Sequence, residues 1–229
     1  MISRLLLLVA GMSVAVSAHA AEPGFVDIFN GKDFSGWEGA ISNGLWTITA
    51  DGSLKCEQKG WKTKPMNLWT NREYTNFVVR FEFKLSPKAN NGLGIRSPGR
   101  DYITSVGMEV QMLDDDSTDY FHKTRPLKPY QYHGSIYGVL AARKRPDGRS
   151  FLRSIDEWNE QEITADGGRV RVVLNGETIV DADVWELGKN KLQADGTEHP
   201  GLLNKSGRLV WCGHNSPVWI RNVRVKELP

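Results

Sequence analysis

Phe77-Val78-Val79-Arg80-Phe81-Glu82-Phe83-Lys84-Leu85 decides the fold class. Successive side chains of an extended chain point to opposite faces, so Val79, Phe81, Phe83 and Leu85 share one side and Arg80, Glu82 and Lys84 the other. An apolar face backed by a charged one marks an antiparallel strand with a core on one side and water on the other.

The same pattern extends in both directions. Arg169-Val170-Arg171-Val172-Val173-Leu174, then Asn175-Gly176, then Glu177-Thr178-Ile179-Val180 reads as a hairpin, because Asn-Gly suits the positive φ angles of a type I′ turn. Val218 to Lys226 alternates again, and shorter strands are predicted at Trp46–Thr49, Leu93–Arg96, Ile136–Leu140, Trp158–Thr164 and Leu209–Cys212. Turn signals at Asn30-Gly31, Asp51-Gly52, Asn91-Gly92, Asp147-Gly148, Asp166-Gly167-Gly168 and Asp195-Gly196 separate them. After the first twenty residues no window of ten or more holds a helical period. Many short antiparallel strands without a linker or repeat predict a single all-β sandwich of two sheets. The longest loops are expected at Asp114–Pro129 and Glu186–Ser206, a length that usually accompanies a site or disorder.

Gly107-Met108-Glu109-Val110-Gln111-Met112-Leu113 carries the first candidate site. Alternation sends Met108, Val110 and Met112 to one face and presents Glu109 and Gln111 together on the other. The acidic run Asp114-Asp115-Asp116, with Asp119, follows at once. It lacks the ligand spacing of an EF-hand loop and reads as a solvated acidic loop, leaving a divalent ion such as calcium beside Glu109 as the one cofactor the residues keep open.

Residues 1–20 read as an export signal: Arg4, an apolar stretch from Leu5 to Val16, then Ala18-His19-Ala20 as a small-x-small cleavage site. The mature chain, 21–229, is expected to start near Ala21 and to be periplasmic or secreted, with no membrane anchor after cleavage. It carries 28 basic against 27 acidic side chains, so no global field attracts nucleic acid. Cys56 and Cys212 are the only cysteines, too few and too isolated for a zinc site. An oxidising compartment permits them to pair, and their spacing leaves that open.

Several chemistries are missing. Retaining glycoside hydrolysis needs two carboxylates about 5 Å apart. The positions that share a face with Glu109 hold Gln111 and Leu113 instead. Gly134-Ser135-Ile136-Tyr137-Gly138 is not a nucleophile elbow, and no dinucleotide or phosphate-loop fingerprint occurs. Of the mature histidines His122, His133, His199 and His214, those at 133 and 214 have polar neighbours in sequence. Of eight tryptophans, most are expected in the core, with Trp61 and Trp69 the candidates for stacking on a sugar.

Phe29-Asn30-Gly31-Lys32-Asp33-Phe34-Ser35-Gly36-Trp37 resembles the opening of the 3-keto-disaccharide hydrolase family. The likeness continues through Asn91–Arg96, Gly107–Gln111, Gly134–Gly138, Trp158–Glu160, Leu174–Gly176, Ala194–Thr197 and Ile220–Val223, in order along the mature chain. One block departs: Trp211-Cys212-Gly213-His214-Asn215 keeps the histidine of a usual Leu-Gln-x-His-Gly but has Cys212 in place of glutamine, which bears on substrate preference. The resemblance implies a concanavalin A-like jelly-roll β-sandwich and substrates oxidised to a ketone at C3, supplied by a separate sugar 3-oxidoreductase. Such a ketone acidifies the hydrogen on C2, so one base suffices for elimination of the C1 aglycone, with or without later addition of water. On this reading Glu109 is the base, Arg96 the oxyanion stabiliser, and His133, Tyr137 or His214 the proton donor, with Gln111, Asp114, Trp61 and Trp69 as substrate contacts. The alternatives are a non-catalytic carbohydrate-binding module and a conventional endoglycanase, the latter disfavoured by Gln111.

Overall fold

The computed structural model describes residues 22–60, 62–99, 103–115, 126–214 and 216–229. Their strands are Val26–Asp27 (β1), Trp37–Gly39 (β2), Trp46–Ile48 (β3), Leu54–Cys56 (β4), Leu68–Thr70 (β5), Phe77–Leu85 (β6), Asn90–Ser97 (β7), Met108–Leu113 (β8), Asn159–Asp166 (β9), Arg169–Leu174 (β10), Glu177–Asp183 (β11), Arg208–Cys212 (β12) and Val218–Glu227 (β13). Among the described residues helix is limited to single turns such as Ile103–Val106 (α1) and Val184–Leu187 (α2). No helix among the described residues is long and apolar enough to cross a membrane.

Two antiparallel sheets form a jelly-roll sandwich. One has eight strands in the order β11-β10-β9-β6-β13-β4-β3, with β1 added on β13; the other has five, β2-β5-β12-β7-β8. As the alternation requires, Phe77, Val79, Phe81, Phe83 and Leu85 of β6 all face the core, and so do Met108, Val110 and Met112 of β8. Burying each such side chain contributes about 1.5–3 kcal/mol. Phe81 meets Trp211 of β12 edge-on, centroids 5.0 Å apart at 84°, so the middle strands of the two sheets grip each other directly. The β10–β11 hairpin turns on Asn175 (φ 51°) and Gly176 (φ 88°), as a type I′ turn demands. β11 forms one edge of its sheet.

Two expectations are corrected, and the open question of a Cys56–Cys212 bridge is answered. Asn91-Gly92 is not a turn but lies inside β7; the chain reverses earlier, at Lys88 (φ 62°), whose N–H donates to Asp114 Oδ2 at 2.8 Å. Ile136–Leu140 is not a strand but a tight turn closed by an Ile136–Leu140 bridge. Cys56 and Cys212 form no disulfide, because Cys56 packs in the core between the sheets while Cys212 faces the other way.

Arg96 also departs from expectation. β7 carries a bulge against β12: Gly94 pairs Val210 and Ser97 pairs Arg208, so two residues oppose one, and Arg96 takes φ 47°. The period of two breaks there and the guanidinium turns into the protein, fully buried. It donates to Thr75 O (2.9 Å), Gly167 O (2.7 Å) and Asn76 Oδ1 (3.2 Å), tying the five-stranded sheet to the ends of β6 and the β9–β10 turn. Its donors are therefore engaged away from Glu109, and the oxyanion role assigned to it is withdrawn. Arg96→Met should leave these acceptors unpaired and lower unfolding stability by about 2–4 kcal/mol in denaturant titration; an unchanged midpoint would contradict the tie.

Candidate functional site

Register builds the site. On the face of the five-stranded sheet turned away from the core, cross-strand partners run Glu38, Trp69, Val210, Gly94, Glu109 in one row and Cys212, Gly92, Gln111 in the next. Beyond β8 the chain returns along its free edge. Gly134 N donates to Gln111 O (2.8 Å), Gln111 N to Ser135 O (2.9 Å) and Tyr137 N to Glu109 O (2.9 Å). Ile136 bridges Val110 and shares the core with it, so Tyr137 stands on the outer side next to Glu109. The Tyr137 hydroxyl accepts from Gln131 Nε2 at 2.9 Å.

The Glu109 carboxylate lies across β7. A Cβ on Gly92 would come within 2.1 Å of Glu109 Oε1 and 2.7 Å of its Cγ, so the side chain occupies the volume that the glycine leaves empty. Glu109 is only 4% exposed, and Oε1 accepts no hydrogen bond among the described residues. His214, half-buried, brings Nε2 to 3.5 Å from that oxygen. Burial, reinforced by the Glu109 charge, pushes the Cys212 thiol pKa well up. Among the described residues the pairing thus surrounds one carboxylate with an amide, a phenol, a thiol and an imidazole, and brings no second acid across from it. Calcium takes about six to eight oxygen ligands, of which this set supplies few, and Asp116 and Asp119 of the acidic run lie outside the described residues. Among the described residues no cluster of three or more His, Cys, Asp or Glu side chains is placed to hold a metal.

The candidates therefore divide. Glu109, Gln111, Tyr137 and His214 come together. Trp69 shares the face but sits three strands from Glu109, about 14 Å at about 4.8 Å per strand, with Ile103 of α1 filling the space over Gly94 between them. Its indole donates to Glu38 Oε2 at 3.3 Å. Asp114 closes the Lys88 turn rather than facing Glu109. Trp61, Asp116, Asp119, His122 and the export signal lie outside the described residues. Gly92 and Cys212 were not read as parts of one site, since only the register of β12, β7 and β8 brings them beside Glu109. A cleft of about 510 Å³ bounded by Arg145, Phe151, Asn175 and Glu177 shares no residue with this face.

A family profile described as a 3-keto-alpha-glucoside-1,2-lyase-like domain matches residues 24–226. The chain is 25% identical over 245 residues to a Bacteroides thetaiotaomicron protein named 3-keto-disaccharide hydrolase, covering 90% of this chain and 79% of that one. A crystal structure from Parabacteroides distasonis, assigned provisionally to the glycosyl hydrolases, superposes with a TM-score of 0.74 at 24% identity, over 90% of this chain and 95% of the other. A Bacillus subtilis protein with a galectin-like fold gives 0.52 at 12% identity, over 85% and 90%. The two structural likenesses speak to the fold alone.

His133, expected as a proton donor, is inside the sandwich instead. Its ring stacks on Phe83 (5.1 Å, 21°), Nδ1 accepts from Leu113 N at 3.2 Å, and Nε2 sits 3.1 Å from Gln161 Oε1. The first contact requires a bare Nδ1 and the second a proton on Nε2, so the neutral tautomer satisfies both and a second proton has no acceptor. Burial lowers its pKa from 6.5 to about 4. The unfolded chain therefore binds more protons between these values, and stability is complete above about pH 6.5 and falls as pH drops toward 4, by up to about 3 kcal/mol. In His133→Leu this part of the slope should vanish, although the variant is less stable at neutral pH; parallel stability curves for the two proteins between pH 4 and 6.5 would count against the buried neutral imidazole.

Proposed function

We propose, for a chain that belongs to the 3-keto-alpha-glucoside-1,2-lyase-like family, that it cleaves glycosides carrying a ketone at C3 of the sugar, with Glu109 as the base. The observation that carries this is a single buried carboxylate whose Oε1 has no hydrogen-bond partner among the described residues, with an imidazole 3.5 Å away and no second acid among its described neighbours. Double displacement at an ordinary glycoside needs two carboxylates. Proton abstraction next to a ketone needs one.

The steps follow from what stands on the face. Glu109 takes the proton from C2, and the electron pair moves onto the C3 oxygen as an enolate. Gln111 and the Tyr137 hydroxyl are the polar groups on the same face that can donate to that oxygen, in place of Arg96. The enolate then collapses to form the C1–C2 double bond, the C1–O bond breaks, and the leaving oxygen takes a proton from His214, which is open enough to be recharged from solvent. Addition of water at C1 completes a net hydrolysis. A binding module would gain nothing from Glu109 as it stands, because a buried, under-bonded carboxylate costs stability without improving adhesion. The export signal supports action in the periplasm or outside the cell. A separate 3-oxidoreductase supplies the substrate, since the chain carries no dinucleotide fingerprint with which to make the ketone itself.

Glu109→Gln keeps shape and removes the base, so cleavage of a 3-keto glycoside should fall about 10²–10⁴-fold with little change in melting temperature. The unoxidised parent glycoside should be a poor substrate for either protein. Wild-type rates in the variant, or equal rates on both substrates, would end this reading.

Gly92→Ala is a subtler probe. Gly92 does not lie in the left-handed region, but its new methyl would meet Oε1, Cγ and Cδ of Glu109 at 2.1, 2.7 and 2.8 Å, so the whole buried side chain must shift, at a folding cost of about 1–3 kcal/mol. Turnover is expected to drop about tenfold or more, because displacing a reacting group by an ångström is costly. Full activity would show that the placement over Gly92 is irrelevant to catalysis.

A further inference from the structure

Cys212 stands opposite Gly92 in the β12–β7 register, on the outer face with Ile103 and Val210, and is 3% exposed. Glu109 fills the space over the same glycine, so thiol and carboxylate are interacting neighbours, each more than nine-tenths buried. A thiol is a weak donor. Sγ lies 3.8 Å from Val210 O and also beside the Glu109 carboxylate, to which a thiol can give only a weak hydrogen bond, and Glu109 Oε1 has no conventional hydrogen-bond donor among the described residues. Hydrogen bonds to the charged form of a carboxylate weaken it as a base, and a hydroxyl or amide at position 212 would be a stronger donor than the thiol.

We propose that Cys212 is a positioning residue for Glu109: it fills the space beside the carboxylate over Gly92 while withholding a strong hydrogen bond, which leaves Glu109 a stronger base than serine or glutamine at that place would. The inference rests on the reading of Glu109 as the base. Among the described residues the titratable groups beside Glu109 are His214 from the segment after β12, Tyr137 from the edge of β8, and Cys212 itself. With its pKa raised, the thiol stays neutral at ordinary working pH and adds no charge of its own.

Cys212→Ser tests this directly, since it exchanges a weak donor for a strong one of similar shape and leaves His214 and Tyr137 in place. Two readouts are needed: ¹³C NMR titration of the Glu109 carboxyl, assigned by its loss in Glu109→Gln, and the pH profile of kcat/KM for a 3-keto glycoside. In Cys212→Ser the carboxyl titration and the acid limb of the profile should both move down by about half a unit or more, and the plateau rate should fall several-fold. In Cys212→Ala, which has no donor, the titration should stay in place or rise. Cys212→Thr, with the same hydroxyl on a side chain suited to a strand, replaces the serine variant if that fails to fold. An unmoved or raised Glu109 titration in the hydroxyl variant, or a lowered one in the alanine variant, overturns the proposal. The titration needs no turnover, so a wild-type protein that cleaves no 3-keto glycoside would sink the base assignment while the link between Cys212 and Glu109 is still decided.

Discussion

The edge-on contact of Phe81 with Trp211 joins the central strand of the five-stranded sheet to the middle of the larger one, and the content of the functional face follows from it. With Trp211 held inward, Val210 and Cys212 must point outward, because strand side chains alternate. Register carries that choice sideways: Cys212 to Gly92 to Gln111, and Val210 to Gly94 to Glu109. Slipping either pairing by one residue would bury the carboxylate between the sheets and turn Met108, Val110 and Met112 toward water. The core and the site are thus two sides of one alignment, enforced by the large apolar area on the inner side.

This explains what the sequence disclosed. The β6 run and the β8 run each state their own alternation, so the inward Val79, Phe81, Phe83 and Leu85 and the outward pair of Glu109 and Gln111 could be read from spacing alone. The β10–β11 turn was equally plain because Asn175-Gly176 has few other uses between two β-branched runs. Resemblance to a known family added the expected chemistry, while geometry decided which residues stand close enough to take part.

What could not be read lies where period or locality fails. Arg96 was expected beside Glu109, but a bulge with a positive φ turns it into the sandwich, and no pattern of residue types announces that. His133 lies two residues before Ser135, which pairs with Gln111, yet its ring enters the core because Phe83, Gln161 and Leu113 N leave a slot that a neutral imidazole fits. Asn91-Gly92 carries the chemistry of a turn and serves instead as the flat floor on which Glu109 rests. The adjacency of Cys212 and Glu109 spans about a hundred positions of chain and exists only through two strand pairings.

The eight-stranded sheet ends on β11, which among the described residues has no strand on its outer side, although Arg143 N donates to Ile179 O at 2.8 Å and Arg143 Nε to Thr178 O at 3.1 Å. An open edge of this kind is a template for uncontrolled association between copies of a chain. Here it carries Glu177, Asp181 and Asp183, with Arg143 and Arg169 paired to the first two at 2.8 and 2.7 Å. A second copy docking edge to edge would have to strip water from all of these charges before a single ladder bond formed. The charges on this border thus work against edge-to-edge pairing of copies, the route by which an exposed strand seeds fibres.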